Sequence, residues 1–188
     1  MKRIVAVSDT HIELGPQIPD RLVDLAEGAD LLLHAGDFVS IEVYEAFSDR
    51  GPLEAVCGNS DFPEVKALLP ERRVVEVEEV RIGLVHRASY SSDLTGADLL
   101  AREMEGDALV FGHIHMPLVE RGRCLLICPG SPIVPRLSAP AVAEIEVEGS
   151  QIRGRILPLG KPVCNYFKYA ESLAERSKKG GERGLSKV

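Results

Sequence analysis

Five segments of this chain set aspartate, histidine or asparagine at the end of a short apolar run. Asp9-Thr10-His11 follows Ile4 to Val7, Gly36-Asp37 follows Leu31 to Leu33, and Gly58-Asn59-Ser60-Asp61 follows Leu53 to Val56. His86 closes Ile82 to Val85, and Gly112-His113-Ile114-His115 follows Ala108 to Phe111, so four of the five histidines fall in these segments. Each piece alone says little, because Gly-Asp and Gly-Asn are ordinary turn dipeptides and a single His is more often a hydrogen-bonded structural residue than a ligand. Jointly, Asp9, His11, Asp37, Asn59, His86, His113 and His115 offer carboxylate, imidazole and amide oxygen donors. That mixture suits borderline first-row divalent ions, and the absence of cysteine from it argues against a structural zinc site. Glycine before Asp37, Asn59 and His113 is expected to let the backbone turn sharply, so that each side chain faces a common cleft.

Elements of a particular kind are needed to bring such distant residues together. The apolar runs are short, rich in Val and Ile and bounded by turn residues, which predicts strands at Ile4 to Val7, Leu31 to Leu33, Leu53 to Val56, Val74 to Val77, Ile82 to Val85, Ala108 to Phe111, Cys124 to Cys128 and Val142 to Val147. Helical spacing at Leu22-Leu25-Ala26, Val43-Ala46-Phe47, Val65-Leu68-Leu69 and Leu94 to Met104 makes the first half read βαβαβα, a parallel sheet. Ligands bind outside the carboxyl ends of such strands, where all five segments lie. From Pro117 to Leu157 the pattern changes to strands without helices, with hairpin turns at Arg121-Gly122 and Glu148-Gly149-Ser150. One domain with two sheets covered by helices reconciles the halves.

Composition narrows the partners. With 22 basic and 29 acidic residues in 188, the formal charge is −7, so no broad nucleic-acid surface is expected and an anionic substrate must be drawn by local positive charge. No apolar run approaches the ~18 to 20 residues that span a bilayer. Met1-Lys2-Arg3 and only four apolar residues precede Ser8-Asp9, which leaves no signal-peptide core and predicts a cytoplasmic protein. Cys57, Cys124, Cys128 and Cys164 form no CxxC pair and are expected to be reduced thiols. The domain is expected to span residues 1–165, with a polar C-terminal tail at 166–188. No GxxxxGK[ST] loop is present.

The ordered motifs resemble those of the calcineurin-like metallophosphoesterase superfamily: D-x-H, then G-D, G-N-H-[ED], an isolated His and G-H-x-H. Here they read Asp9-Thr10-His11, Gly36-Asp37, Gly58-Asn59-Ser60-Asp61, His86 and Gly112-His113-Ile114-His115, and Pro129-Gly130-Ser131 is similar to a segment of its small bacterial and archaeal phosphodiesterases. The resemblance implies an α/β fold, a two-sheet α/β/β/α sandwich that is metallophosphoesterase-like. It also implies a dinuclear centre in which Asp9, His11 and His115 hold one ion, Asn59, His86 and His113 the other, and Asp37 bridges. The ions implied are Mn²⁺ or Ni²⁺, with Fe²⁺ or Zn²⁺ as alternatives. The implied activity is that of a phosphodiesterase hydrolysing a small phosphate ester through a metal-bridging hydroxide, with Asp37, Asn59 and His113 as catalytic residues.

Two positions depart from the pattern. Ser60 stands where most members have a His that meets the phosphate, and a hydroxyl is a poor proton donor near neutral pH. Arg87, not Gly, follows the isolated His86, where it could clamp a substrate phosphate or pair with a surface acid. Ser60 and Arg87 are thus the candidate substrate contacts. Among neighbours, His34 is expected to be structural, Asp61 of Asp61-Phe62-Pro63-Glu64 to cap a helix, and Pro129-Gly130-Ser131 to brace the His113 loop. The alternative function is a protein-interaction scaffold, metal-binding or metal-poor, like the retromer subunit of similar fold; a homo-oligomer is compatible with either reading.

Overall fold

Ile4-Val5-Ala6-Val7 is apolar at every position because both faces of its strand are covered. In the computed structural model, which describes residues 1–89 and 93–161, β1 (Lys2–Val7), β2 (Leu31–His34) and β3 (Leu53–Ala55) run parallel. Ile4, Ala6 and Leu33 face a second sheet, while Val5, Val7 and Leu32 face helices. This double burial is what a parallel strand joined by helical crossovers requires. The crossovers are α1 (Asp20–Glu27) and α2 (Ile41–Ser48), which with α3 (Pro63–Leu68) bury Leu22, Ala26, Val43, Phe47 and Val65 on the outer face. Ser40 starts α2 by accepting a hydrogen bond from Val43 N–H at 3.3 Å.

The second sheet is built around β4 (Arg72–Val77), β5 (Val80–Val85), β6 (Ala108–Phe111), β7 (Leu118–Arg121) and β8 (Leu125–Cys128), in the order β4-β5-β6-β8-β7. Ile82, Leu84, Ala108, Val110 and Ile127 meet the first sheet, and Leu109, Phe111 and Leu126 meet Ala97 and Ala101 of α4 (Thr95–Glu103). The layers are therefore helix, sheet, sheet, helix, the expected sandwich. Both expected hairpins form, but they divide between the sheets. β7 and β8 stay in the second, while β9 (Ala141–Glu148) pairs antiparallel with β1 and carries β10 (Gln151–Pro158) to the edge of the first.

Cys57 is half-buried and Cys124 and Cys128 are buried, all as free thiols; Cys164, the boundary at 165 and the tail at 166–188 lie outside the described residues. Among the described residues no helix is long and apolar enough to cross a membrane.

Candidate metal centre

The loops after the strands turn through backbone shapes that L-residues seldom adopt. Asp9, His11, Asp37, His113 and His115 all have positive φ, at 54°, 50°, 63°, 74° and 56°. Such conformations cost on the order of 1–3 kcal/mol each and persist only where the surroundings enforce them. Here the enforcement is a lattice of hydrogen bonds between loops: Asp9 N–H to Gly36 O at 3.0 Å, His11 N–H to Asp37 O at 3.1 Å, and Gly112 N–H to His86 O at 2.9 Å. The glycines differ in their work. Gly36 supplies a turn at φ +86°, as expected. Gly58 and Gly112 do not; they are needed because a Cβ at 58 would strike Asp37 and one at 112 would lie 2.8 Å from Asp9 Oδ2.

These turns bring donor atoms from all five segments together. His11 Nε2 lies 3.1 Å from His115 Nε2, and His115 Nε2 lies 3.4 Å from Asp9 Oδ1. His86 Nε2 lies 2.9 Å from Asn59 Oδ1. Asp37 Oδ2 stands between the two groups, 3.4 Å from His11 Nε2 and 3.4 Å from His86 Nε2. Among the described residues, Asp9, His11 and His115 form one triad that could hold an ion, and Asp9, Asp37 and His86 form another. His113 lies outside both triads. Its backbone N–H donates to both Asp9 oxygens at 3.0 Å, and its ring stands edge-on to His86 with centroids 5.3 Å apart.

The donors are arranged for cations and not for one another. His86 Nδ1 lies 2.8 Å from Ala35 O, so a neutral imidazole carries its proton there and turns a lone pair toward Asn59 Oδ1 and Asp37 Oδ2. His115 repeats the arrangement, with Nδ1 2.6 Å from Val134 O and its Nε2 lone pair toward His11 and Asp9. The His86 Nε2 and Asn59 Oδ1 lone pairs, 2.9 Å apart, repel each other, and a divalent ion held by both would convert the repulsion into coordination. Carbonyls that fix the tautomer of a ligating His are a usual support of metal sites. The residues present therefore fit divalent ions.

Burial sets the protonation of the site. It pushes the Asp9 carboxyl up to about 6, against an opposing pull from His86 and a hydrogen bond from Ser8. Burial likewise holds the imidazoles of His11, His113 and His115 below their ordinary value. All four groups are thus free of competing protons above neutrality. Apparent Mn²⁺ affinity is expected to hold between about pH 8 and pH 7 and to weaken as pH falls through about 6, where Asp9 gains its proton. Calorimetric titration of the metal-free protein across that range checks this; an affinity already falling between about pH 8 and pH 7 would contradict it.

Asp61 is the residue whose role the sequence concealed. The N-cap of α3 is Phe62, not Asp61. The Asp61 carboxylate instead accepts from Gly58 N–H at 2.6 Å, Val39 N–H at 2.7 Å and Asp37 N–H at 3.3 Å, tying the β2 and β3 loops together. Asp61→Ala leaves these donors without that partner, and at about 1–3 kcal/mol for each of the two buried ones the metal-free protein should lose about 2–6 kcal/mol of unfolding free energy. Urea denaturation tests this, and a loss under about 0.5 kcal/mol would mean that the loops hold without it.

His34 stacks on Phe38 with centroids 3.5 Å apart and accepts from Gly36 N–H, deep in the core. Ser131 braces Asp9 and, through Val134, the His115 end of the His113 loop: its hydroxyl donates to Asp9 O at 2.6 Å and accepts from Val134 N–H at 2.8 Å, beside the carbonyl that orients His115. Ser60 gives its N–H to Asp37 Oδ1 at 2.7 Å and its hydroxyl proton to Oδ2 at 3.0 Å. Arg87 is exposed and lines a cleft of about 400 Å³ shared with Asn59 and His86. A hollow of about 580 Å³ elsewhere is lined by Glu27, Glu42, Glu45 and Asp49 and holds none of these residues.

Comparison with known proteins agrees with this geometry. The family model of the calcineurin-like phosphoesterase superfamily domain matches residues 1–150, a span that includes every donor named above. A protein of Methanothermobacter thermautotrophicus named "Probable metallophosphoesterase" is 34% identical over 169 residues, which cover 88% of this chain and 98% of that protein. Among solved structures, a predicted phosphoesterase from Streptococcus pneumoniae TIGR4 is 26% identical and aligns over 87% of this chain and 92% of its own, with a TM-score of 0.65. Vacuolar Protein Sorting 29 from Cryptosporidium parvum, 21% identical, aligns over 85% of this chain and 98% of its own with a TM-score of 0.70, a likeness of fold alone. A shared sandwich would not by itself settle kinship, but a domain match containing all the strand-end donors, together with a relative alike over nearly its whole length, does: the chain belongs to the calcineurin-like phosphoesterase superfamily.

Proposed function

We propose that this chain is a dinuclear-metal-dependent phosphodiesterase acting on a small phosphate ester in the cytoplasm. One observation carries the reading: a single oxygen, Asp37 Oδ2, is 3.4 Å from a nitrogen of each donor group, the position of a carboxylate shared by two ions. Asp9, His11 and His115 would hold one ion and Asn59, His86 and His113 the other. Two divalent ions, Mn²⁺ or Ni²⁺ with Fe²⁺ or Zn²⁺ as alternatives, would supply an acidified water and neutralise phosphoryl charge. The chain's own part is to hold that centre rigid. Ser60 anchors both oxygens of Asp37, and His113 N–H holds both oxygens of Asp9, so neither carboxylate can rotate away. Asp37, Asn59 and His113 are the residues proposed to act at the reacting phosphate.

A scaffold of the same fold is the second reading, favoured by Ser60, whose proton is already committed to Asp37 and leaves no acid at that position. Reconstituting the protein with Mn²⁺ or Ni²⁺ and assaying phosphodiesters, phosphomonoesters and nucleotides separates the two. Chelator-sensitive diester hydrolysis is expected, and activity on none of the esters would support the scaffold.

A further inference from the structure

The cleft beside Asn59 and His86 carries more positive charge than an ester phosphate at the centre requires. Three segments deliver it: Lys66 from α3, Arg72 from the start of β4, and Arg87 from the loop just past β5. Arg72 sits opposite Val85 in the β4–β5 register, so both arginines lie at the end of the hairpin that presents His86. Against them the lining offers, among the described residues, one acid, Glu71, in a chain whose net charge is −7. Lys66 Nζ donates to Asn59 O at 2.8 Å, which places its ammonium directly behind a proposed ligand. Arg72 pairs with Glu103 at 2.9 Å, but both side chains are more than half exposed, and such surface pairs exchange readily for a stronger anion. Arg87 is near enough for its charge to be felt at the His113 imidazole.

We infer that the cleft is a subsite for a second phosphate, and that the preferred substrate is a small phosphodiester with a terminal phosphate on one arm. The inference rests on the hydrolytic reading above and deepens it. Lys66, Arg72 and Arg87 give that phosphate charge-assisted hydrogen bonds, while the ester phosphate stays at the centre. The subsite is finite: a cleft of about 400 Å³ on an acidic protein takes one additional phosphate, not a polynucleotide track.

The test compares the p-nitrophenyl ester of thymidine 5′-phosphate with the same ester bearing a second phosphate on its 3′ oxygen, so that the leaving group is unchanged. With Mn²⁺-loaded protein the second phosphate should raise kcat/KM about tenfold or more, mainly through KM. Within the Arg72→Gln/Arg87→Gln double variant the ratio of the two esters should fall below about threefold, and about 0.5 M salt should shrink it in the unmodified protein. A ratio near one, or a ratio unchanged in the double variant, would overturn the subsite. Calorimetric binding of thymidine 3′,5′-bisphosphate against thymidine 5′-monophosphate reads the cleft without turnover. Tighter bisphosphate binding with neither ester cleaved would sink the hydrolytic reading and keep the anion subsite, whereas equal binding would remove the subsite alone. Preference for long single strands, with a salt slope growing with length, would also overturn it.

Discussion

Asp37→Ala should leave the purified protein without either ion, and hydrolysis should fall by at least about a thousandfold, since even one missing electrostatic donor costs on the order of 10²–10³ in rate. The expectation follows from the place of Asp37 Oδ2 between the His11 and His86 nitrogens. Asn59→Ala removes an amide oxygen that faces His86, so it should weaken one ion and leave the other near full occupancy. Elemental analysis after dialysis distinguishes these outcomes, with circular dichroism to confirm that both variants remain folded. Two ions retained by Asp37→Ala would eliminate the shared-carboxylate assignment. One ion lost from each variant would make Asp9, which belongs to both triads, the shared ligand instead.

Hydrolysis should also depend steeply on the pKa of the leaving group. The Ser60 hydroxyl donates to Asp37 and accepts from Asn59 Nδ2 at 3.2 Å, so it has no proton to give a departing alkoxide. General acid assistance of about 10²- to 10⁴-fold is then missing for poor leaving groups, and activated aryl diesters should be cleaved well while alkyl esters are cleaved poorly. Ser60→His should flatten the slope of log kcat/KM against leaving-group pKa, with the largest gain on the worst leaving groups. Ser60→Ala, which removes the contact to Asp37 without adding an acid, should keep the slope and lower the whole line. Both are compared at matched metal occupancy. A shallow slope in the unmodified protein would mean that another residue supplies the proton.

The donors were legible in the sequence because each sits where an apolar run stops, and the runs are short enough to be strands. The layers were legible for the same reason, since Ile4 to Val7 and Ala108 to Phe111 have no polar face and must be covered on both sides. The partner of β9 was not. An antiparallel strand pairs as well with one sheet as with another, and only the register of Ile4 on Ile145 decides it. β7 gave a weak signal because it is an edge strand with Glu120 and Arg121 exposed. Asp61 misled because Asp-x-Pro-Glu is a good local capping pattern, whereas its acceptors serve Val39 and Asp37, more than twenty positions away. Nor did Asp9, His11 or His115 announce a left-handed backbone, since no neighbouring glycine is needed when hydrogen bonds from distant loops impose it.

That left-handed backbone has a bearing on how the protein could be engineered. Val39 shares the conformation at φ 86°, and for a β-branched residue this is among the least comfortable shapes available. Glycine would relieve the discomfort at Val39 and equally at Asp9, His11, Asp37, His113 and His115, but at the latter five it would delete the group the loop exists to present. A library selected for heat resistance and one selected for turnover would therefore diverge at the same codons. Consensus design toward relaxed geometry would keep the sandwich and erase most of its chemistry, because five of the seven proposed donors carry the discomfort themselves.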